Sequence, residues 1–344
     1  MSPHPLRATL EQLVEGQSLS ERAAEELLVA LTDETLPAAL AGALLAALRT
    51  KGTTPEELRG FARGMRGLAR RPRLPHVGPT LDVVGTGGDA SHTFNLSTGA
   101  ALLAAAAGAK VAKHGNRSIS SRSGSADLLE ALGLAMPLDE RAAGACLERS
   151  GFTFLFAPHY HPAMKAIAPV RSALGIRTVF NMLGPLTNPA EPPFHLIGAF
   201  SRDAARLLAD ALAGLPIRRA FVVHGEPGWD EPTPAGPFVL YDVTPGRVDE
   251  STRSAADFGL PSCSPEDLKG GDAAHNAAAL RSVFAGRDRG PHRDALVLGA
   301  ALALEVAGLA RDAREGSQLA ARAIDSGAAS AVVDSLAAFS RGAP

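Results

Sequence analysis

Three features that are scarce or absent in this sequence exclude classes of function. Aromatic residues make up only 5% of its 344 residues, which argues against the stacking platforms that bind single-stranded nucleic acid. The formal net charge of −2 argues against a general polyanion binder. No run of about 18 apolar residues is present that could span a bilayer. We therefore expect neither nucleic acid nor a membrane as a partner.

Cysteine is also scarce. The two cysteines, Cys146 and Cys263, stand in unrelated contexts and provide neither a disulfide framework nor a Cys-x-x-Cys metal motif. This usage fits a reducing compartment, so we expect a cytoplasmic protein. The first fifteen residues contain acids and lack an apolar core, unlike a secretory signal peptide.

The pattern of apolar residues changes near residue 80. Residues 6–67 carry apolar residues at helical spacing, and Thr54-Pro55-Glu56-Glu57 forms a helix start with a capping box. After a basic, proline-containing linker at 70–75, short β-branched runs alternate with alanine-rich segments. The expected strands are 81–84, 110–113, 152–156, 195–200 and 220–224. This alternation predicts an α/β fold with a mainly parallel sheet. Beyond residue 237 the pattern is less clear until three closing helices.

A glycine-rich run marks the end of the first expected strand. Gly85-Thr86-Gly87-Gly88-Asp89 is followed by Asn95-Leu96-Ser97-Thr98 at the start of the next helix. Unpaired backbone N–H groups at such a junction bind anions. The run lacks the Gly-Lys-Ser/Thr of a Walker loop and the glycine spacing of the dinucleotide fingerprint. We predict that this run binds phosphate without being either of these motifs. A glycine turn alone is often only structural, so the prediction also depends on Asn95, Ser97 and Thr98.

A second polar loop follows the second expected strand. Lys113-His114-Gly115-Asn116-Arg117 leads into several serines that end at Ser125, and residues 108–125 contain no acid. The alternative is a solvated loop that caps the next helix. The density of hydrogen-bond donors without acids favours a ligand loop.

Two further constellations concern metals. Asp230-Glu231 follows the strand that ends near His224, and adjacent carboxylates on such a loop can hold Mg²⁺ together with substrate phosphates. An Asp-Glu pair by itself is usually solvated surface, so this interpretation depends on the phosphate loop. His159, His161 and His114 form only a weak zinc pattern, and a structural or substrate-lining role is favoured. No motif for covalent catalysis is evident.

These strings together resemble the anthranilate phosphoribosyltransferase family over nearly the whole chain. The resemblance extends beyond the two loops through the following motifs: 120–127, 156–165, 169–171, 177–178, 181–189 (Asn181-Met182-Leu183-Gly184-Pro185-Leu186-Thr187-Asn188-Pro189), 223–225 and 230–231. It implies a small all-helical domain and a larger α/β domain with a mainly parallel central sheet. The implied limits are 1–72, completed by about 175–192, for the helical domain, and 78–174 with 193–344 for the α/β domain.

The resemblance also implies substrates and site residues. The substrates would be phosphoribosyl pyrophosphate (PRPP) and anthranilate, with Mg²⁺, two ions expected, and a homodimer formed through the helical domain. The implied PRPP-binding residues are Gly85, Gly88, Asp89, Thr93, Asn95, Leu96, Ser97, Thr98, Lys113, His114, Gly115, Asn116, Arg117, Ser118, Ile119, Ser120, Ser121 and Ser125. Anthranilate would meet Gly85, Asn116 and Arg171. The metal would meet Ser97, Asp230 and Glu231.

Catalysis would be electrostatic. Lys113 and Arg171 are the side chains expected to stabilise charge, and no covalent nucleophile is expected. The alternatives are an enzyme like the pyrimidine nucleoside phosphorylases, which would bind inorganic phosphate and a nucleoside, and a non-catalytic ligand-binding relative on the same fold. The retained Asp230-Glu231 pair and the Lys113–Asn116 string favour the transferase.

Overall fold

The N-terminal part of the chain, up to residue 67, is a bundle of helices. A computed structural model describes residues 5–89, 91, 93–118, 122–226 and 228–342. The bundle helices are α1 (Arg7–Val14), α2 (Glu21–Leu31), α3 (Ala38–Lys51) and α4 (Pro55–Gly67). The predicted capping box starts α4: Glu57 N–H donates to Thr54 Oγ1 at 3.2 Å, and Thr54 N–H donates to Glu57 Oε2 at 2.8 Å. Glu57 is fully buried and also accepts a hydrogen bond from Lys51 Nζ at 2.9 Å.

A seven-stranded sheet forms the centre of the remainder. Its strands are β1 (Leu81–Gly85), β2 (Val111–Gly115), β3 (Phe152–Phe156), β4 (Phe194–Gly198), β5 (Arg219–Gly225), β6 (Phe238–Thr244) and β7 (Arg247–Arg253). Their order in the sheet is β3-β2-β1-β4-β5-β6-β7. The first five are parallel to one another, β6 pairs antiparallel with β5, and β7 pairs antiparallel with β6. The α/β fold and the mainly parallel sheet are therefore confirmed.

Helices cover both faces of this sheet. They are α5 (Leu96–Ala106), α6 (Ser125–Ala131), α7 (Glu140–Ser150), α8 (Ala157–Tyr160), α9 (Met164–Leu174), α10 (Phe180–Leu183), α11 (Arg202–Ala213), α12 (Ala273–Phe284), α13 (Pro291–Val306), α14 (Ala313–Asp325) and α15 (Ala328–Ser340). None of the described helices is long and apolar enough to cross a bilayer.

Alternate residues of the strands supply two separate hydrophobic cores. Phe221 and Val223 of β5 face the core that also contains α5, α13 and α15. Their neighbours Ala220 and Val222 face the core shared with α4 and α11. Because side chains alternate along a strand, one buried strand joins both cores. The sheet is thereby fixed against the helical bundle on one face. Asp82 in β1 and Lys113 and His114 in β2 are buried polar exceptions to the apolar pattern of the central strands.

The sequence analysis missed three elements after residue 237. β7, with the sequence Arg-Val-Asp-Glu-Ser-Thr-Arg, is largely exposed at the edge of the sheet, where charged residues prevent pairing with other chains. Its charge hides the apolar signal of a strand. The hairpin with β6 and the helix α12 therefore went unrecognised.

A later segment also packs on the N-terminal bundle. Ile167 of α9 and Phe180 and Leu183 of α10 join the core of the bundle, and Val170 lies over α3 beside Gly42. Helix α9 thus contacts the bundle ahead of residue 175, where the second helical segment was expected to begin. The domain limits themselves stay a prediction.

The contact between α2 and α4 leads to a stability test. A Cβ on Gly60 would overlap the Glu21 carbonyl oxygen and lie 2.8 Å from the Ala24 Cβ, whereas a Cβ on Gly67 would meet nothing within 4 Å. We expect Gly60→Ala to lower the free energy of unfolding by about 1–3 kcal/mol through overpacking. The matched Gly67→Ala should leave it unchanged or raise it slightly. Urea unfolding measures both, and equal stabilities for the two variants would contradict this packing.

Candidate functional site

Three loops meet where the parallel strands end. From β1 the chain adds β2 and β3 on one side, and it then adds β4 and β5 on the other side. The order of the strands therefore reverses between β1 and β4. Ligands of open α/β sheets bind in the crevice at such a switch point, beyond the carboxyl ends of the strands. The glycine loop after β1, the polar loop after β2 and the acidic segment after β5 all lie at this edge.

The glycine loop is held open by its own backbone. Gly87 and Gly88 have φ values of +68° and +75°, in the left-handed region that favours glycine. Thr86 anchors the start of the loop: its N–H donates to the Gly198 carbonyl at 2.9 Å, and its hydroxyl accepts from Phe200 N–H at 3.0 Å. The loop therefore stands over the ends of β1 and β4 as a shaped cradle.

Asn95 joins the two polar loops. Its amide nitrogen donates to the Ser123 carbonyl at 2.9 Å, and its amide oxygen accepts from Asn276 Nδ2 at 2.8 Å. Asn95 also stands at the N-terminal cap of α5, whose first N–H groups face this edge. The predicted residues of both loops are thus held together around one polar cavity.

The acidic segment Trp229–Glu231 lies directly on three glycines that end strands. A Cβ on Gly85 would lie 3.1 Å from the Asp230 Cγ, and a Cβ on Gly198 would lie 2.6 Å from the Asp230 carbonyl carbon. A Cβ on Gly225 would overlap the Glu231 carbonyl oxygen. Only glycine at these strand ends lets the segment approach the sheet so closely.

Both acids accept hydrogen bonds from the phosphate-loop region. Asp230 Oδ2 accepts from Gly87 N–H at 2.6 Å, and Glu231 Oε1 accepts from Ser97 N–H at 3.2 Å. Burial and the neighbouring Asp89 carboxylate raise the pKa of Asp230 to about 7. Burial and the Asp230 carboxylate raise the pKa of Glu231 to about 8. A cation placed between these acids would relieve the repulsion that raises both values.

Lys113 is the buried cation opposite these acids. Its ammonium group donates to the Val83 carbonyl and to Ser97 Oγ, the latter at 3.4 Å. Burial lowers its pKa, while Asp82, Glu231 and Asp230 act in the opposite direction. Lys113 thus places positive charge beneath the cradle.

The chemistry of this donor set fits magnesium. Ser97, Asp230 and Glu231 offer a hydroxyl and two carboxylates, the oxygen ligands that Mg²⁺ prefers. Within the described part of the chain, no cluster of three or more His, Cys, Asp or Glu side chains could hold a metal by itself. A magnesium ion here would therefore need oxygens from a bound phosphate or from water.

An apolar cavity adjoins the polar one. The polar cavity has a volume of about 370 Å³, and the second cavity, between the sheet edge and the helical bundle, has a volume of about 690 Å³. Met65, Phe180 and Leu183 line the second cavity. Both cavities share Gly85, Thr86, Gly115, Asn116 and Asn181 among their lining residues. Two ligands of different polarity would meet at that shared wall.

Arg171 supplies positive charge at the apolar cavity. Its guanidinium lies over the Phe180 ring, 5.0 Å from the centroid, and burial lowers its pKa. No carboxylate among the described residues offsets this effect of burial on Arg171. A partly buried guanidinium without an acid partner suits a ligand that carries a carboxylate.

Two buried histidines line the same cavity. The His114 and His161 rings lie 5.0 Å apart, and burial lowers their pKa values to about 3 and about 4. Both are neutral at pH 7. His159 lies apart, 3.6 Å from the Glu140 carboxylate. The lining role favoured from the sequence agrees with this placement.

Some predicted site residues have side chains that pack or pair with other parts of the protein. Arg117 lines the polar cavity, but its guanidinium is paired with Glu130 and Asp127. Leu96 belongs to a hydrophobic core, and the buried Thr98 hydroxyl bonds to Ser125 Oγ at 3.0 Å. Ser118 N–H donates to Asp127 Oδ2 at 3.0 Å. Ile119, Ser120 and Ser121 lie outside the described residues.

The sequence analysis did not single out several residues that support the site. Asp82 is fully buried and accepts from His114 N–H at 3.2 Å and from Asn188 Nδ2 at 2.8 Å, which fixes the end of β2. Arg177 donates to the Gly88 carbonyl and stacks on Phe200, 4.1 Å from the ring centroid. Arg177 and Asn188 stood in motifs of the family resemblance without an assigned role. Asn276 carried no local signal.

Comparisons with known proteins agree with this architecture. Residues 7–69 match the helical bundle domain of a glycosyl transferase family, and residues 77–330 match the a/b domain of a glycosyl transferase family. The chain is 51% identical to the anthranilate phosphoribosyltransferase of Solibacter usitatus and 47% identical to that of Rubrobacter xylanophilus. Each alignment covers 98% of both chains.

Solved structures give the same result. The crystal structure of anthranilate phosphoribosyltransferase from Thermus thermophilus matches with a TM-score of 0.91 at 43% identity, over 96% of this chain and 99% of that one. The Saccharomyces cerevisiae enzyme in complex with PRPP and Mg matches with a TM-score of 0.87 at 26% identity, over 98% and 99%.

The close approach at Gly198 can be tested with the only tryptophan of the chain. Trp229 is buried, and its carbonyl accepts from Gly225 N–H at 2.9 Å. We expect Gly198→Ala to push the Trp229–Glu231 segment off the sheet, which shifts the Trp229 emission to the red and exposes it to acrylamide quenching. Gly67→Ala is the control and should leave the emission unchanged. An unaltered spectrum in folded Gly198→Ala protein would contradict the proposed packing.

Proposed function

The chain belongs to the anthranilate phosphoribosyltransferase family, and we propose that it transfers the phosphoribosyl group of PRPP to the amino group of anthranilate. The products are N-(5-phosphoribosyl)anthranilate and pyrophosphate, a step of tryptophan biosynthesis. The observation that carries this proposal is the pair of adjoining cavities, one polar and one apolar, which share a wall at Gly85 and Asn116. A phosphorylated donor and an aromatic acceptor could meet there.

The polar cavity suits the diphosphate of the donor. Its walls combine backbone N–H groups of the glycine loop, the start of α5 at Asn95 and Ser97, and the polar residues that follow β2. Lys113 lies beneath them and stabilises the negative charge that develops on the leaving pyrophosphate. Residues of the predicted donor set that pair elsewhere, above all Arg117, act through the shape of the loop.

We assign magnesium to Ser97, Asp230 and Glu231. The fit rests on their oxygen donors and on the repulsion between two buried carboxylates that a cation would relieve. Bound there, magnesium would neutralise part of the diphosphate charge. Two ions are proposed for the loaded site.

The apolar cavity suits anthranilate. Arg171 binds its carboxylate, and Phe180 and Met65 bury its ring. Gly85 and Asn116 at the shared wall direct the amine toward the ribose. An aromatic amine is neutral at pH 7, so its lone pair needs no strong base for attack.

The reaction follows from placement and charge. The bond between ribose C1 and the pyrophosphate oxygen breaks, a bond from C1 to the anthranilate nitrogen forms, and the amine loses one proton. The ribosyl carbon becomes cationic on the way, and the nearby carboxylates and the leaving pyrophosphate counter that charge. Most of the rate would come from orientation and preorganised electrostatics.

The alternatives account for less of the site. A pyrimidine nucleoside phosphorylase has no evident use for the paired acids that cover the phosphate loop. A non-catalytic relative would not need the two cavities to meet. The named relatives and solved structures favour the transferase over both.

We also propose a homodimer formed through the helical bundle. Val14 of α1 and Val29 of α2 are large apolar side chains that are 70% and 46% exposed on this unit. A mass in solution of twice 35.4 kDa is expected. The cytoplasmic location expected from the cysteine usage stays a prediction.

Anthranilate fluorescence tests the proposed function. The signal should decay only when protein, PRPP and Mg²⁺ are all present, and mass spectrometry should identify the phosphoribosyl product. Asp230→Asn combined with Glu231→Gln should abolish turnover while circular dichroism stays native. Glu226→Gln, an exposed acid of the same loop, is the control and should keep full activity. Full turnover in the double variant would refute the metal assignment.

Arg171 should determine acceptor binding. We expect Arg171→Ala to raise the KM for anthranilate by roughly 10- to 100-fold, because a charge-assisted hydrogen bond of about 1.5–3 kcal/mol is lost. The KM for PRPP should change little. Arg218→Ala, at the opposite end of the sheet where β5 begins, should leave both values unaltered. An unchanged anthranilate KM in Arg171→Ala would count against this role.

A further inference from the structure

The two acids of the acidic segment hold the amides that an anion would need. Gly87 N–H lies in the glycine loop and Ser97 N–H lies in the first turn of α5, and both already donate to carboxylates, Asp230 and Glu231 respectively. We propose that Asp230 and Glu231 determine the anion specificity of the cradle: they exclude metal-free phosphates and admit only a diphosphate that arrives with a divalent cation. This inference rests on the proposed function and extends it to ligand selection.

The charges around the cradle support exclusion. Asp89 lies beside the pair, since its Oδ2 accepts from Asp230 N–H at 3.2 Å. Three acidic side chains therefore line the cavity that would hold a phosphate, and Lys113 lies among them. A metal-free phosphate would have to displace an acid side chain from each amide, and each of the three acids that is ionised would then repel it. In a partly buried site that repulsion is poorly screened.

The backbone of the segment is packed on the strand ends and hydrogen-bonded to one of them. Asp230 and Glu231 lie against Gly85, Gly198 and Gly225, and Gly225 N–H donates to the Trp229 carbonyl at 2.9 Å. Only the side chains can change partners. Each carboxylate gives up its amide without an energetic penalty only when a cation replaces the N–H group. The freed N–H groups of Gly87 and Ser97 then donate to the phosphate oxygens.

This exchange distinguishes ligands that share phosphate chemistry. Orthophosphate, sulfate and metal-free pyrophosphate present oxygens but no cation, so they meet occupied amides. A magnesium-loaded diphosphate satisfies both the acids and the amides. The same two side chains would therefore bind the metal and discriminate against phosphorolysis.

Pyrophosphate binding tests the proposal, with Trp229 emission and calorimetry as readouts. In EDTA, wild-type protein should bind pyrophosphate weakly, and Mg²⁺ should strengthen binding at least about tenfold. In Asp230→Asn/Glu231→Gln protein, metal-free pyrophosphate should bind at least about tenfold more tightly than to wild type, and Mg²⁺ should add little. Glu226→Gln removes one charge from the same loop outside the cradle and should behave as wild type.

Several results would overturn the proposal. They are equal metal-free affinity in the double variant and wild type, equal affinity of wild type with and without Mg²⁺, or a comparable gain in Glu226→Gln. Absence of pyrophosphate binding in every protein would overturn it as well. The expected pyrophosphate behaviour without any consumption of anthranilate would refute the proposed acceptor and leave this inference standing.

Wild-type protein alone gives a second test, which is independent of whether the variants fold. Amide exchange at Gly87 and Ser97, followed by NMR, should be slow in EDTA and unaltered by added pyrophosphate. Addition of pyrophosphate with Mg²⁺ should shift both amide resonances. A shift of equal size with metal-free pyrophosphate would contradict the occupied-amide account.

Discussion

The site depends on the close approach of the acidic segment to three strands that each end in glycine. Gly85, Gly198 and Gly225 end β1, β4 and β5. The Asp230 carboxylate fills the space that a Cβ at Gly85 would take, and the backbone of Asp230 and Glu231 fills that space at Gly198 and Gly225. This contact carries Asp230 to a glycine loop that is 143 residues away in sequence. The order of the strands places the site, because β1 and β4 are neighbours at the point where the strand order reverses.

Charge is distributed unevenly across the two halves of the site. The polar half concentrates Asp89, Asp230 and Glu231 around Lys113, and burial raises the pKa of Asp230 and Glu231 while it lowers that of Lys113. The apolar half carries Arg171 against Phe180. A cation and a diphosphate would complete the first half, and a carboxylate would complete the second. Substrate binding thus supplies the missing charges in both halves, which ties affinity to correct placement of the reacting atoms.

Local signals in the sequence predicted much of this arrangement. Glycine runs and strand–helix alternation located the five parallel strands to within one or two residues, because buried strands and helix starts have distinctive composition. The edge strand β7 was not predicted because its exposed residues are mostly charged or polar. The resemblance placed Arg117 in the donor pocket, and it does line the polar cavity, but its ion pairs with Glu130 and Asp127 could not be predicted from the local pattern. The supports Asp82, Asn188 and Arg177 act through contacts across 32 to 106 residues, which local patterns do not encode.

We propose that two substrates of different polarity occupy the two adjoining cavities and meet at Gly85 and Asn116. A crystal structure of this protein with PRPP, Mg²⁺ and an unreactive anthranilate analogue tests it most directly. The account predicts the diphosphate between the glycine loop and Lys113, and the carboxylate of the analogue on Arg171, with its ring against Phe180. Either ligand bound outside its cavity, or an analogue whose carboxylate faces away from Arg171, would contradict the account.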